Sequence, residues 1–211
     1  MQRAQAREQT RQRLLEAALA ILESGGEAAL TTTAVTRQAG ISQSGFYNYF
    51  ADMDDMLCHL IDEMEEQRRS AAGAARRAAR HAGLADAVRE SFRETVTQTA
   101  AHPNLFRLLV RSRLDPASRV GAASRRQLAT TRANFLHGLE AAGVPMTTAR
   151  EKRMAGLIAD GLVATVEGLL TDHLDGRSPD VEEILDTLML FARGVPAAAR
   201  RRRPALAGGT D

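Results

Sequence analysis

Residues 31–50 read TTTAVTRQAGISQSGFYNYF, and the reading of the whole chain turns on them. Thr31 is suited to cap a short helix that carries Val35 and Ala39. Gly40 offers the positive φ of a tight corner over Ala39-Gly40-Ile41-Ser42, with Ile41 packing beneath it. Ser42 can satisfy the first amides of a second helix. On that helix Phe46 and Phe50 stand four residues apart, share one face and point inward. Gln43, Ser44, Tyr47 and Asn48 share the opposite face, with the reach and hydrogen-bonding groups for base edges and phosphates. Four of the eight aromatic residues fall between positions 46 and 50. The segment reads as helix, tight turn, helix; the plain alternative is an aromatic-pinned hairpin that binds nothing.

Outward from this stretch the helical period recurs and strand alternation does not. Leu14, Leu15, Ala18, Leu19 and Leu22 form one stripe, and Gly25-Gly26 stops it. A long helix is predicted from about Met53 towards Arg80. The next carries Leu84, Val88, Phe92, Val96 and Ala100. Pro103 suits the first position of a helix through Leu105, Leu108 and Leu109, which Asp115-Pro116 breaks. Another runs to about Ala142, with Gly143 as its stop. Thr148 and Glu151 have capping-box spacing for a helix to about Asp172. Ser178-Pro179 is read as the start of the last helix, with Val181, Ile184, Leu185, Leu188 and Phe191 on its apolar face. The expected fold is all-α, about nine helices.

At 211 residues, with 44% hydrophobic and 26% charged residues, the chain has the balance of a globular protein with a real core. Its single cysteine, Cys58, excludes a disulfide framework and any multi-thiolate metal site. The start, MQRAQAREQTRQR, has no apolar stretch like a signal peptide. No apolar run stands out as a membrane span of about 20 residues, so a cytoplasmic protein without membrane association is expected. Net charge is +2, but residues 68–132 hold fourteen Arg against four acids, and residues 51–66 hold seven acids and no Lys or Arg. His59, His81, His102, His137 and His173 are scattered without metal-ligand spacing. No nucleophile elbow, phosphate-cradling Gly loop or dinucleotide fingerprint is present. No enzyme, cofactor or metal is expected.

The segment from about Arg7 to Gln67 resembles the DNA-binding domain of the TetR family of bacterial transcriptional repressors. The Arg-rich start and Leu/Ala stripe of the first helix carry the resemblance, with Thr31, Val35, Ala39-Gly40-Ile41-Ser42 and Phe46-Tyr47-x-Tyr49-Phe50. It implies a three-helix helix-turn-helix domain over residues 7–67 (motif 31–50) and a helical ligand-binding and dimerisation domain over 68–197. Residues 198–211, polar and Gly-rich from Arg200 and without periodicity, are expected to be a disordered basic tail. It also implies a homodimer on a palindromic operator in double-stranded DNA. The residues assigned to DNA are Thr31, Thr33, Arg37, Ser42, Gln43, Ser44, Gly45, Tyr47, Asn48 and Tyr49. Two departures stand out. Met53 replaces a Lys that many relatives use on a phosphate, and Gly45 replaces a Thr. Helix-start amides and Arg3, Arg7, Arg11 and Arg13 are candidates to compensate.

Gly45-Phe46-Tyr47-x-x-Phe50-x-Asp52-Met53-Asp54 and His102-Pro103-Asn104-Leu105-Phe106-Arg107-Leu108-Leu109-Val110-Arg111 are similar to the branch that represses unsaturated fatty-acid synthesis genes. That branch senses long-chain acyl-CoA or acyl-carrier thioesters. A small hydrophobic effector is therefore expected in the second domain. Its apolar liners would be Phe92, Phe106, Leu109, Phe135, Met154 and Ile158. Arg107 and Arg111, one helical turn apart, would hold CoA phosphates, with Arg113, Arg125 and Arg126 nearby in sequence. Core packing and a solvated basic face are the plain alternatives. Leu162, Val166, Leu169 and Leu170, among Gly156, Ala159, Gly161, Ala164 and Gly168, are assigned to the dimer interface. Two other functions fit the sequence: an efflux-pump repressor that senses a hydrophobic drug-like compound, and an acyl-CoA-binding protein without DNA binding.

Overall fold

The computed structural model describes residues 2–78, 84–141, 144–177 and 180–201. Among these the regular structure is helical: α1 (Gln2–Gly25), α2 (Thr32–Ala39), α3 (Gln43–Phe46), α4 (Met53–Ala78), α5 (Leu84–Ala101), α6 (Pro103–Ser112), α7 (Arg119–Ala141), α8 (Ala149–Leu174) and α9 (Val181–Arg201). They form two compact units. One contains Met1–Ala71 with Ala101–Leu128, the other Ala72–Ala100 with Ala129–Asp211. Gly143, Ser178, Pro179 and the tail from residue 202 lie outside the described residues. Residues 198–201, assigned to the tail from sequence, are helical.

In the first unit Leu14, Leu15, Leu22, Val35, Phe46, Phe50, Met56 and Ile61 are almost fully enclosed. Leu105 and Leu108 of α6 and Val120 and Ala123 of α7 join the same core. This compact unit is therefore larger than the stretch 7–67. Burying each large apolar side chain contributes about 1.5–3 kcal/mol, so α6 and the start of α7 are integral to it. A polar clasp adds to this packing. The Glu23 carboxylate accepts from the amides of Asn104 (3.0 Å) and Leu105 (2.9 Å). In return, Asn104 Nδ2 donates to the carbonyls of Leu22 (3.1 Å) and Glu23 (3.0 Å). The end of α1 and the start of α6 thereby satisfy each other's unpaired backbone groups.

The second unit is built on α8, whose start has the capping box expected at Thr148 and Glu151. Ala155, Ala159, Leu162, Val163, Val166 and Leu170 of α8 are buried, as are Ile184, Leu185, Leu188 and Met189 of α9. Phe92 of α5 meets Phe135 of α7, ring centroids 5.8 Å apart. Arg89 and Arg93 bind Glu182, and Arg89 also reaches Asp186 at 2.7 Å. These pairs hold the Glu182 carboxyl down at about 2, through hydrogen bonds from Arg93 and then Arg89. The last helix is capped by Asp180, whose carboxylate accepts from the Glu183 amide at 3.0 Å. By length and composition α8 could cross a membrane, with mean hydropathy 1.4 over an 18-residue window. Its buried face and its exposed Lys152, Arg153, Asp160 and Asp172 read instead as a core helix of the bundle.

One expectation changes. Leu162, Val166 and Leu170 face the core of their own unit, and Leu169 is half-buried. Their bulk is used inside the chain. The exposed stripe of α8 is instead Met154, Leu157, Gly161, Ala164 and Gly168, at alternating spacings of three and four. Leu190 and Phe191 of α9 are also exposed.

Candidate nucleic-acid interface

The helix-turn-helix forms through local chemistry. Thr31 Oγ1 accepts from the Ala34 amide at 3.2 Å and opens α2. Gly40, at φ 67 and ψ 38, is in the left-handed region where an L side chain is disfavoured. It lets the Ile41 amide return to the Thr36 carbonyl at 2.9 Å. Ser42 Oγ accepts from the Gly45 amide at 3.2 Å and opens α3. A Cβ at Gly45 would lie 2.8 Å from Ile41 Cγ2 and 3.2 Å from Ser42 Oγ. A side chain at this position would have to displace Ile41 or Ser42.

α3 is shorter than its sequence period implies. Regular α-helix ends at Phe46, and Asn48 and Tyr49 bond back three residues, to Gly45 (3.2 Å) and Phe46 (2.9 Å). Tightened last turns of this kind take up carbonyls that have no helical partner. Phe46 and Phe50 are both buried, with ring centroids 5.6 Å apart, and fix both ends of the segment. Tyr47 packs edge-on against Phe46 at 5.4 Å and remains 59% exposed.

Of the residues assigned to DNA, Thr31, Thr33, Arg37, Ser42, Gln43, Ser44, Tyr47 and Asn48 are exposed, while Gly45 and Tyr49 are half-buried. The hydroxyls of Thr31 and Ser42 also serve as helix caps. The start of α4 is acidic: Asp52 Oδ1 accepts from the Asp55 amide at 2.8 Å, and Asp55 Oδ2 accepts from the Ala51 amide at 2.8 Å. Arg119 pairs with Asp52 and lies 3.9 Å from Asp54. The backbone hydrogen bond from Asp55, and then Arg119, hold the Asp52 carboxyl below its usual range. Sequence reasoning treated the basic residues of α1 alike, and their partners separate them. Arg11 is held by Glu8 at 2.7 Å and reaches Glu63 at 3.5 Å. Arg7 Nη2 donates to the Asn48 carbonyl at 3.1 Å, and the guanidinium lies over the Tyr49 ring, 5.8 Å from its centroid.

The residues assigned to an effector fall on both units. Phe106, Arg107, Leu109 and Arg111 are in the first, where Leu109 packs on the core, Arg111 pairs with Glu27, and Arg107 donates to Asn104 Oδ1 at 3.3 Å. Phe92, Phe135, Met154 and Ile158 are in the second. There Phe135 and Ile158 pack on a cluster of Leu139, Val144, Ala159 and Leu162, whereas Met154 is 44% exposed.

Residues 14–60 match the family described as "Bacterial regulatory proteins, tetR family". The fold is that of the TetR-type transcriptional regulators. A transcriptional regulator from Pseudomonas aeruginosa PAO1 superposes with a TM-score of 0.74 at 18% identity, covering 93% of this chain and 95% of that one. A TetR-family transcriptional regulator from Streptomyces coelicolor gives 0.68 at 21% identity, over 91% and 96% of the two chains. The fatty acid degradation regulator FadR from Bacillus halodurans gives 0.66 at 14% identity, over 87% and 97%. At these identities the likeness is one of fold.

Proposed function

We propose that this chain is a dimeric TetR-type repressor that binds a palindromic operator through α2 and α3 and is controlled by a hydrophobic effector. One observation carries the reading. Gln43, Ser44, Tyr47 and Asn48 stand exposed on a segment whose other face is locked into the core by Phe46 and Phe50. A rigid polar face of that kind suits the major groove. Two copies give two such faces, as half-sites about 34 Å apart require. The exposed small and apolar stripe of α8, with Leu190 and Phe191, is the surface that favours a second copy.

For the effector we favour a long-chain acyl-CoA or a related lipid. Supporting it are the local similarity at residues 45–54 and 102–111, the apolar residues of α5 and α7, and the name of the fatty-acid regulator with this fold. A chain of roughly 16–18 carbons gains about 0.8 kcal/mol for each methylene it buries, and CoA phosphates add charge-assisted hydrogen bonds to Arg. Calorimetry with palmitoyl-CoA, oleoyl-CoA and the free acids tests this. Binding that strengthens with chain length and prefers the CoA form supports it. No binding at micromolar concentration leaves the efflux-type effector in its place.

A further inference from the structure

The two ends of the recognition segment differ in charge. At the start of α4 the carboxylates of Asp52, Asp54 and Asp55 occupy the helix entrance, and the cation beside them, Arg119, is taken up by Asp52 and Asp54, so this end is unsuited to a DNA phosphate. The opposite holds where α1 passes the Asn48–Tyr49 corner. Arg3, Ala6, Arg7 and Thr10 line an open groove of about 460 Å³ there with Asn48 and Tyr49. Arg3 and Arg7 are four residues apart and so share one face of α1. The nearest acid in sequence, Glu8, is bound to Arg11. The groove thus holds two guanidinium groups and no carboxylate.

Arg7 has a second task. It donates to the Asn48 carbonyl at 3.1 Å, at the end of the recognition segment. A guanidinium has five N–H donors in a rigid fork, so one that holds a carbonyl can still take an anion. Asn48 belongs both to this groove and to the exposed polar face. A duplex seated on that face therefore brings its backbone alongside the groove. We propose that the groove is a phosphate seat for the operator backbone, with Arg3 a direct contact and Arg7 a positioning residue joining the phosphate to the recognition segment. This rests on the DNA-binding reading above and narrows the four basic residues of α1 to Arg3 and Arg7, with a separate task for each. It also supplies a counter-charge that Met53 and Gly45 do not.

The test uses the full chain and a duplex that the wild-type protein selects from a random pool, titrated from about 50 to 200 mM salt. Each phosphate contact contributes about 0.9 to the slope of log K against log salt. Arg3→Ala should lower that slope by about one contact, so that its deficit shrinks about 3.5-fold over this range, and should weaken selected and scrambled duplexes equally. Arg7→Lys should keep the slope but lower the preference for the selected duplex about fivefold or more, because an ammonium cannot bridge two acceptors as the fork does. Arg11→Ala, whose charge is already paired, should match wild type. Melting temperature is followed for each variant, and Arg3→Gln replaces any Ala variant that unfolds. A wild-type slope for Arg3→Ala, or wild-type preference for Arg7→Lys, overturns the assignment while leaving DNA binding intact. A wild-type protein that selects no sequence would instead overturn the DNA-binding reading itself.

Discussion

Replacing Glu23 by Ala removes the carboxylate that caps α6 from 81 residues away in sequence. Pro103 opens that helix without an N–H, and His102 makes no side-chain cap hydrogen bond. The amides of Asn104 and Leu105 are therefore the first that need acceptors, and Glu23 supplies both at 3.0 and 2.9 Å. Loss of a cap costs about 0.5–2 kcal/mol, and a hydrogen bond to a charged group is worth about 1.5–3. With the site half-buried, Glu23→Ala should cost about 2–3 kcal/mol. Asn104→Ala, which frees two carbonyls at the end of α1, should cost about 1–2 kcal/mol. The double variant should lose less than the sum, by about 0.5–1 kcal/mol, because each residue anchors the other. Urea unfolding followed by circular dichroism gives the cycle, a suitable probe because the chain has no Trp. Hydrogen exchange gives the local effect: 2 kcal/mol corresponds to about 30-fold faster exchange at Leu105. Unchanged exchange there, or additive losses, would refute the clasp.

Gly121→Ala should destabilise the protein by at least about 1 kcal/mol despite better helix propensity, because its Cβ would lie 2.2 Å from the Ser112 carbonyl oxygen; a melting curve at or above wild type would show that α6 and α7 can separate there. Acid should weaken the Arg89–Glu182–Arg93 contact. The Glu182 carboxyl titrates at about 2 in the folded chain and at 4.5 as an ordinary carboxyl, so its contribution is present above 4.5 and fades as pH falls towards 2. The difference in melting temperature between wild type and Glu182→Gln should then narrow over that interval, and a constant difference would contradict it. Leu157→Glu should give a folded monomer by sedimentation, since Leu157 is 66% exposed on the α8 stripe. Val166→Asp should instead unfold the second unit, where an unpaired buried charge is costly.

Local rules were the most legible part of this sequence. Thr31, Gly40, Ser42 and the Thr148–Glu151 box each act within three or four residues of themselves, and each occurs as its type and spacing imply. The length of α3 was less legible, because Phe46 and Phe50 are held by the core whether or not the backbone between them stays regular. The Glu23–Asn104 clasp joins positions 81 apart, and nothing near either residue marks its partner. The placement of the apolar residues of α8 is less legible, for a compositional reason. Leucines and valines at 162, 166 and 170 look like interface residues, yet the bundle's own core takes them and leaves Gly161, Ala164 and Gly168 outside. Arg7 resembled Arg11 in sequence; only the carbonyl of Asn48 and the carboxylate of Glu8 tell them apart.

Selection from a random duplex pool shows whether the exposed face of residues 43–48 reads DNA. The wild-type chain should enrich a palindrome and bind it at least about 10³-fold more tightly than a scrambled duplex at fixed salt. Tyr47→Ala with Asn48→Ala should lose about 1–3 kcal/mol of that preference for each base contact removed. An enriched palindrome bound equally well by the double variant, or no enriched sequence at all, would show that this face does not read DNA.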